Sequence, residues 1–487
     1  MPEFNIRDQE SRRGYLKLTG AGMAAVFAGC SGNGGNGSDG NGGGPTTPTT
    51  TTTPDPAQLG EVHWLSDYSN EAWQTKWDEL TSSFEAETGI QTNIEFVGGQ
   101  GSGEQRLSNL IQAGDTPDLF TSNPVSVANL FANGSMVPLA DMVDEFTSVN
   151  GKITAEPVLR DDQGTPYEVP HGYYVGTLLY REDIYEALGL SEPDSFEELK
   201  SNAQAIEETD QFETRGFMLP AAKNEPLAAA VFRQFFNHMG HGRFRWKSDA
   251  QEEAEVWFPK EPAVELLNYF KELAQYSPPP SKNGFASGLQ DWGGSAYAHM
   301  VHLNLWPGGV AAAIDPEVAK NTGVTNVPLD DGINAEEIPI TLTSSVDGHY
   351  VFGDGNNTPG AKRLLSYMYG RDAETTAELY AQEPMRFLPG YKEILQTDTF
   401  TGLDYFNKFP SHVEKLRKIE QIGEKYFNNV EEINSVMSSG PVMYAGQALL
   451  LATLMNDVLV VGMDPGEAVD KYKSDVSDRL EEGKQRF

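Results

Sequence analysis

Two histidine pairs stand at metal-ligand spacing, His238-x-x-His241 and His299-x-x-His302. Spacing i, i+3 places two imidazoles on one helix face, but a zinc site needs further ligands. The chain has one cysteine and no His-Glu-x-x-His motif. The acidic turn Asp354-Gly355-Asn356-Asn357 lacks the rest of a calcium loop. These patterns predict no metal site and no other cofactor.

Catalytic motifs are also missing from the sequence. There is no Gly-x-Ser-x-Gly nucleophile elbow and no Walker loop. Paired carboxylates, which a glycosidase requires, arise by chance among 71 acidic residues and therefore carry no signal. These absences predict no esterase, lipase or cysteine chemistry, and they leave any ATP hydrolysis to a partner. We predict that the chain has no catalytic residues and is not an enzyme, with a glycoside-active enzyme as the open alternative.

Polar residues follow the first predicted strands. The segment Glu61 to Leu65 reads as a strand that ends at Ser66-Asp67-Tyr68, and Pro117 to Phe120 begins another strand before Asn123. In α/β folds, ligands bind beyond the carboxyl ends of strands. Asp67, Tyr68 and Asn123 are therefore candidate binding residues. The alternative for Asp67 and Tyr68 is that they merely cap the following helix.

The elements around these residues alternate between strand and helix. Helical spacing of apolar residues follows the first strand, with Ser69 or Asn70 as its start and Gly89 as its end. The residues on this apolar face, which we expect in the core, are Trp73, Trp77, Leu80 and Phe84. A strand follows from Ile90 to Val97. This alternation predicts an α/β fold with largely parallel sheets.

The N-terminus carries an export pattern. Arg12-Arg13 and Lys17 precede a short apolar run that ends in Phe27-Ala28-Gly29-Cys30. The run is shorter than the roughly 20 apolar residues of a membrane span, and it resembles a twin-arginine signal joined to a lipoprotein cleavage box. We expect residues 1–29 to be the signal, Cys30 to be lipidated, and residues 30–57, rich in Gly, Ser, Thr and Pro, to form a disordered tether. The body would then lie at the extracellular face of the membrane.

The net charge is −36, from 71 acidic and 35 basic residues. Nucleic-acid binding requires the opposite sign, so no nucleic acid is expected as a partner. Self-repulsion at this charge is screened at molar salt, where the Debye length is ~3 Å. The charge therefore predicts a halophilic and, with the export pattern, a haloarchaeal protein; an ordinary acidic exported protein is the alternative.

Several segments in serial order resemble the extracellular solute-binding proteins of family 1, the carbohydrate-binding lipoproteins of ABC importers that include the maltose-binding proteins. The resemblance spans roughly Val62 to Ser477. The segments that carry it are Phe84 to Ile90, Leu107 to Phe120, Tyr167 to Tyr180, Leu305 to Gly308 and Arg386 to Pro389.

The resemblance implies a two-lobed, periplasmic-binding-protein-like fold in which the chain crosses between lobes. Crossings are expected near Val169 to Gly176, Gly323 to Pro328 and Gly353 to Pro359. Lobe 1 would comprise residues 58–170 and 325–355, and lobe 2 residues 171–324 and 356–487.

The resemblance also implies further binding residues, since a sugar site needs aromatic platforms and fixed polar partners. Tyr173 and Tyr174 lie at the first crossing, and because adjacent strand residues point opposite ways, one of them is expected to contact ligand. Trp306 is expected to stack on ligand, with core packing as the alternative, and Arg386 to bond hydroxyls or an acidic sugar or to hold the lobe together. The remaining candidates are Glu225, Trp292 and Tyr350.

Taken together, the residues and the resemblance predict an extracytoplasmic, lipid-anchored receptor of an ABC importer. It would capture a carbohydrate by hinge closure and deliver it to permease subunits, with the ATPase engaged indirectly. The alternatives are a secreted glycoside-active enzyme and an adhesive surface lipoprotein.

Overall fold

The computed structural model describes residues 60–98, 102–154, 159–161, 163–248, 253–330, 333, 345–427, 440–446 and 449–485. The predicted signal, the tether and Cys30 lie outside these residues.

The described residues form helices around two main sheets. The strands are β1 (Val62–Ser66), β2 (Thr92–Phe96), β3 (Leu119–Ser122), β4 (Val169–Tyr174), β5 (Gly176–Arg181), β6 (Phe244–Trp246), β7 (Ala254–Val256), β8 (His299–Leu303), β9 (Thr322–Thr325), β10 (Ser345–Val351) and β11 (Leu388–Pro389). The helices are α1 (Glu71–Thr88), α2 (Ser102–Ala113), α3 (Ala128–Ala132), α4 (Ala140–Asn150), α5 (Glu182–Leu188), α6 (Phe196–Glu207), α7 (Pro226–His238), α8 (Lys260–Leu273), α9 (Phe285–Gly293), α10 (Trp306–Ile314), α11 (Pro316–Lys320), α12 (Thr358–Tyr369), α13 (Ala373–Ala377), α14 (Asp398–Thr401), α15 (Asp404–Lys408), α16 (Ser411–Phe427), α17 (Gly440–Gly446), α18 (Leu450–Asn456) and α19 (Pro465–Lys484).

The first helix forms for the local reasons that its sequence indicates. The Asn70 side chain accepts a hydrogen bond from the Trp73 backbone N–H, and Gly89 ends the helix with a left-handed φ of 75°. Trp73, Trp77 and Phe84 have no exposed surface. The predicted caps and core face of α1 are therefore confirmed.

The sheets define two lobes. The first sheet has the strand order β11-β4-β10-β3-β1-β2, the second has the order β8-β5-β9, and β6 and β7 form a separate hairpin. We name lobe 1 the first sheet with the helices packed on it, such as α1, α2, α4 and α12, and lobe 2 the second sheet with α7, α10 and α16. The predicted α/β, two-lobed fold is confirmed.

The prediction of largely parallel sheets holds only for part of lobe 1. β1 pairs in parallel with β2 and β3, whereas β10 is antiparallel to both β3 and β4. The second sheet is antiparallel throughout its described pairs. The reason is the path of the chain, because β10 enters the first sheet at the edge where β4 leaves it.

The first crossing is a single extended segment. β4 and β5 are separated only by Val175, so the chain passes from the first sheet into the second within two residues, where the crossing was predicted. Ser345 pairs with Tyr174, and Gly176 pairs with Leu303. The carboxyl ends of β1, β3 and β4 in lobe 1 therefore lie at the same junction as the carboxyl end of β8 in lobe 2.

The segment that follows β10 lies in a different lobe from the one predicted by the boundary at residue 355. After β10, the chain turns at Asn357, whose backbone N–H donates to the buried Asp118 carboxylate at 2.5 Å, and continues into α12 against β1. β11 then pairs with β4. Residues 358–389 therefore lie with lobe 1 rather than crossing near residues 353–359, while the other predicted domain bounds stay predictions.

The stretch Tyr444–Val461 has the length and apolar composition of a membrane span. Its described residues Leu451, Leu454 and Met455 are buried, and α18 packs on α7 and α19. Burial inside a globular body gives a core helix the same apolar composition, so this stretch is weak evidence for a span.

Candidate ligand-binding cleft

A half-buried carboxylate, Asp67, lies at the carboxyl edge of the first sheet. Asp67 follows β1, and its backbone N–H donates to the Thr121 carbonyl at 3.0 Å, while its Oδ2 accepts a short hydrogen bond from the Ser122 hydroxyl. Its other oxygen, Oδ1, lies buried against Gly103 of α2 and has no hydrogen-bond partner among the described residues. Burial, together with the nearby Asp347 and Glu104 carboxylates, raises the pKa of Asp67 to about 6.

Two tyrosines converge on a second carboxylate. The hydroxyls of Tyr68 and Tyr174 each donate to Asp347 Oδ2 at 3.2 Å. Tyr68 follows β1, Tyr174 ends β4 and Asp347 lies in β10, so three strands supply one cluster. Burial raises the pKa of Asp347, opposed by the charge of Arg386. The cluster is nearly closed to solvent, because Tyr68 and Tyr174 are 3% and 4% exposed.

Arg386 covers this cluster. Its Nε donates to the Tyr174 hydroxyl at 3.0 Å, and its Nη1 donates to Glu383 Oε2 at 2.9 Å. The guanidinium lies 4.9 Å from the centroid of the Tyr68 ring and 4.5 Å from that of the Trp306 ring. These distances are those of cation–π contacts. Arg386 thus contacts aromatic rings from both lobes.

Lobe 2 contributes Trp306, the first residue of α10, which starts shortly after β8. Its ring lies 6.5 Å from Tyr174 with an interplanar angle of 27°, and 5.3 Å from Phe285. Its Nε1 is buried and has no hydrogen-bond partner among the described residues. A buried donor without a partner needs an explanation, and at this junction a ligand acceptor would supply one.

Asn304 ties lobe 2 to the crossing. Its side-chain Oδ1 accepts from the Val175 N–H at 2.7 Å, and its Nδ2 donates to the carbonyls of Tyr173 and Arg386 at 3.0 and 2.8 Å. Its carbonyl accepts from the Thr177 hydroxyl at 2.6 Å. Asn304 is fully buried and has a left-handed φ of 48°, a conformation that Asn tolerates better than most residues.

A chain of hydrogen bonds underlies the cluster in lobe 1. Thr121 Oγ1 lies 2.8 Å from Trp64 Nε1 and 2.7 Å from His349 Nδ1, and the Tyr369 hydroxyl lies 2.8 Å from His349 Nε2 and 2.6 Å from His171 Nδ1. A tryptophan N–H can only donate. The arrangement that satisfies each bond runs from Trp64 through Thr121, His349 and Tyr369 to His171.

Burial lowers the pKa of both histidines in this series of hydrogen bonds, His171 and His349, and that of His349 falls to about 3. Of the two histidine pairs at metal-ligand spacing, His238, His299 and His302 are buried and His241 is half-buried. His299 is bonded to the Gly216 carbonyl and to the Tyr185 hydroxyl at 2.6 and 2.5 Å, and burial lowers its pKa to about 4. Within the described residues, no group of three or more His, Cys, Asp or Glu side chains is placed to hold a metal.

Comparison with known proteins agrees with this architecture. The model of the bacterial extracellular solute-binding protein family matches residues 66–375. The chain belongs to this family. A solved solute-binding protein of an ABC transporter from Agrobacterium radiobacter K84, in complex with ribitol, is 21% identical, with a TM-score of 0.64 over 86% of this chain and 98% of that one. Maltose-bound MalE3 of T. maritima is 15% identical, with a TM-score of 0.66 over 86% and 99% of the two chains.

One relative is similar by sequence. YcjN of Escherichia coli (strain K12), proposed to be an ABC transporter periplasmic-binding protein, is 19% identical over 296 residues, which span 58% of this chain and 63% of YcjN. The match therefore covers less than two-thirds of that relative. Membership of the extracellular solute-binding family suggests an extracytoplasmic location, and proteins of this family serve transport.

The structure brings five of the predicted binding residues of this solute-binding protein to the interlobe junction. They are Asp67, Tyr68, Tyr174, Trp306 and Arg386. Asn123 follows β3 at the same edge and is half-buried. Whether these residues contact a ligand stays a prediction.

Other predicted binding residues lie elsewhere. Trp292 is fully buried and donates to the Thr322 hydroxyl at 3.0 Å. Tyr350 is fully buried in a core cluster with Phe120, and Tyr173 is buried on the opposite strand face from Tyr174, beside Gly423 of α16. These three side chains pack in the core, and their predicted contact with ligand has no support from this placement.

Glu225 has a local role at the start of two helices. Its carboxylate accepts from the Leu227 N–H at the start of α7 and from the Phe285 N–H at the start of α9, each at 3.0 Å. Phe285 in turn contacts Trp306. Glu225 therefore supports the neighbourhood of the cleft through helix capping.

Sequence reasoning missed Asp347, Glu383 and Asn304. Glu383 Oε2 accepts from Trp73 Nε1 at 2.5 Å and from Asn70 Nδ2 at 3.2 Å, across some 310 residues of chain. No local sequence pattern predicts such a contact. Asp347 had a usable signal, because it directly precedes Gly348-His349 in a segment between two of the crossings that the resemblance implies.

Proposed function

We propose that this solute-binding protein captures a carbohydrate or polyol between its lobes and delivers it to the permease of an ABC importer. The observation that carries the proposal is the cluster of Tyr68, Tyr174, Asp347, Arg386 and Trp306, built from both lobes. It combines aromatic faces with fixed polar groups in a desolvated site, which is what recognition of a sugar needs.

Family membership and the ligands of the similar solved proteins support the same class of solute. The A. radiobacter protein was solved with ribitol and MalE3 with maltose. A ligand that contacts both lobes binds the closed form better than the open form, so it shifts the population towards closure. The closed form would then dock on the permease.

The experiment is a thermal-shift screen of the purified body with monosaccharides, polyols and oligosaccharides, followed by calorimetric titration. We expect one class of compound to raise the Tm, since binding to the native state stabilises it by mass action. Trp306→Ala should weaken binding at least tenfold, whereas Trp257→Ala, which removes a half-buried tryptophan of lobe 2 outside the cluster, should not. No shift with any compound would reject the proposal, and turnover of a glycan would favour a glycoside-active enzyme.

We further propose that the protein is exported by its twin-arginine signal and anchored through lipid on Cys30. The pattern of Arg12-Arg13, the apolar run and Gly29-Cys30 supports this. Two lipid chains suffice for stable anchoring, which one does not provide. Cys30→Ala should move the protein from the membrane fraction to the medium, and a protein that stays in the membrane fraction would contradict the anchor.

A further inference from the structure

We propose that Glu383 is a specificity-determining residue, which makes the cleft select uncharged polyhydroxy ligands and reject the same ligands carrying a carboxylate or phosphate. This inference rests on the proposed function, since it concerns the ligand of that same cleft. It follows from the hydrogen bonds that hold Arg386, from the carboxylates around it and from the indole N–H of Trp306, which lacks a hydrogen-bond partner among the described residues.

An exposed arginine in a cleft is the natural receptor for an anionic group, because its planar fork pairs with two oxygens. Arg386 does not have this freedom. Its Nη1 is bonded to Glu383 at 2.9 Å and its Nε to Tyr174 at 3.0 Å, while its flat face lies 4.5 Å from the Trp306 ring. Two of its three nitrogens and one face are therefore already engaged.

The Glu383 carboxylate is itself fixed. The oxygen that pairs with Arg386 also accepts from Trp73 Nε1 at 2.5 Å and from Asn70 Nδ2 at 3.2 Å. Trp73 is fully buried in the core of lobe 1, and Asn70 is held at the N-terminus of α1 by its bond from the Trp73 backbone. A ligand carboxylate that displaced Glu383 would have to break three hydrogen bonds to one oxygen.

The surrounding charge opposes an anion as well. Arg386 is the cation whose charge acts on Tyr68, Tyr174 and Asp347. Three carboxylates lie around this positive charge, those of Glu383, Asp347 and, at the same strand edge, Asp67. A buried site screens charge less than the surface does, so a further negative group would be repelled even in concentrated salt.

The indole N–H of Trp306 fits a hydroxyl group. It is a buried donor without a partner among the described residues. A hydroxyl both donates and accepts, so it can accept from this N–H and donate its own proton to a neighbouring carboxylate. A carboxylate or phosphate oxygen only accepts, and it would bring a further negative charge to the carboxylates of Glu383 and Asp347.

The test compares neutral compounds with matched anions on the mature protein. The probes are glucose with glucuronate, galactose with galacturonate, and the best neutral compound of a wider panel with its uronate or phosphate. We expect the neutral member to bind at least tenfold more tightly. In Glu383→Gln the uncharged amide can still accept from Trp73 and Arg386, and the preference should shrink at least fivefold. Glu186→Gln, which removes one exposed charge of lobe 2, should leave the preference unchanged.

The outcomes separate the two proposals. If no compound of either charge binds, the carbohydrate function itself fails. If the anion binds as tightly as its neutral partner, charge selection is wrong while the function stands. If neutral compounds are preferred but Glu383→Gln leaves the ratio unchanged, Glu383 is not the residue responsible. The ligand-free Tm of each variant, expected within a few degrees of the parent, establishes that a changed ratio does not come from misfolding.

Discussion

At the scale of single residues, Asn304 shows how one side chain supports a junction between lobes. Its amide makes two buried hydrogen bonds to the backbone of the crossing segment and a partly buried one to the Arg386 carbonyl. Buried backbone groups that lose their partner cost about 1–3 kcal/mol each. The geometry of the cleft therefore depends on a residue that need not contact the ligand.

Asn304→Ala is expected to lower the free energy of unfolding by about 2–4 kcal/mol through the buried groups that lose their partners. Asn224→Ala is the matched control, because Asn224 has a similar left-handed φ of 59° but is exposed. The control thus measures the backbone cost alone. Denaturant unfolding of both variants checks the prediction, and equal losses would show that the side-chain bonds of Asn304 add nothing.

Asp67 couples the cleft to pH. Its folded pKa of about 6 lies above the usual value of an aspartate, so the folded state takes up the proton more readily than the unfolded state. The stability contributed by Asp67 is therefore present at low pH and lost as pH rises through the window from about 4 to 6. Asp67→Asn, which is uncharged throughout, should gain stability relative to the parent as pH rises from 4 to 7.

The measurement is denaturant unfolding of parent and variant at pH 4 and pH 7, with the exposed Asp78→Asn as the control. The free energy of unfolding of Asp67→Asn, relative to that of the parent, should be higher at pH 7 than at pH 4. A difference independent of pH would mean that Asp67 does not titrate in this window.

At the scale of elements, the hydrogen-bond chain from Trp64 to His171 joins β1, β3, β10, α12 and β4. Its centre is the Tyr369 hydroxyl, which serves both histidines. Tyr369→Phe would leave a buried donor on His349 and a buried acceptor on His171 without partners. We expect the free energy of unfolding to fall by about 2–4 kcal/mol.

Tyr391→Phe is the matched control for Tyr369→Phe. Tyr391 is fully buried beside Tyr369, but its hydroxyl has no hydrogen-bond partner in the part of the chain that the structure describes. Removing that hydroxyl should be neutral or slightly stabilising, because an unsatisfied buried group disappears. Denaturant unfolding measures the free energy of unfolding of both variants. Equal losses would count against a structural role for the hydrogen bonds between Trp64 and His171.

The elements also show how far sequence alone reaches. α1 and its caps could be predicted because the signals are local, an apolar face of 3.6 periodicity between Asn70 and Gly89. The direction of β10 could not, since it depends on the chain returning from lobe 2 at the edge where β4 leaves. Tyr174, Trp306 and Arg386 were named individually, but their meeting, and the parts of Asp347 and Glu383 in it, depend on contacts between residues hundreds of positions apart.

At the scale of the whole molecule, the net charge of −36 is the main electrostatic influence on stability. Where lysines and arginines form ion pairs, they do so mainly at the surface, as in Lys418–Glu192 and Arg371–Glu87, and pairs of this kind contribute little individually. With 71 acidic and 35 basic residues, many carboxylates have no basic residue to pair with. The compact state therefore carries a net self-repulsion that the expanded chain relieves.

This repulsion predicts a strong dependence of stability on salt. The free energy of unfolding should rise steeply between 0.1 and 1 M NaCl, as the Debye length falls from ~10 Å to ~3 Å, and then level off. A variant in which ten exposed Asp and Glu residues outside the cleft are changed to Asn and Gln should show a smaller rise and greater stability at 0.1 M. Urea unfolding at each salt concentration measures both. A rise that continues linearly beyond 1 M and is the same in the variant would instead indicate a general salting-out effect on apolar surface, and the acidic surface would then not be the source of the salt requirement.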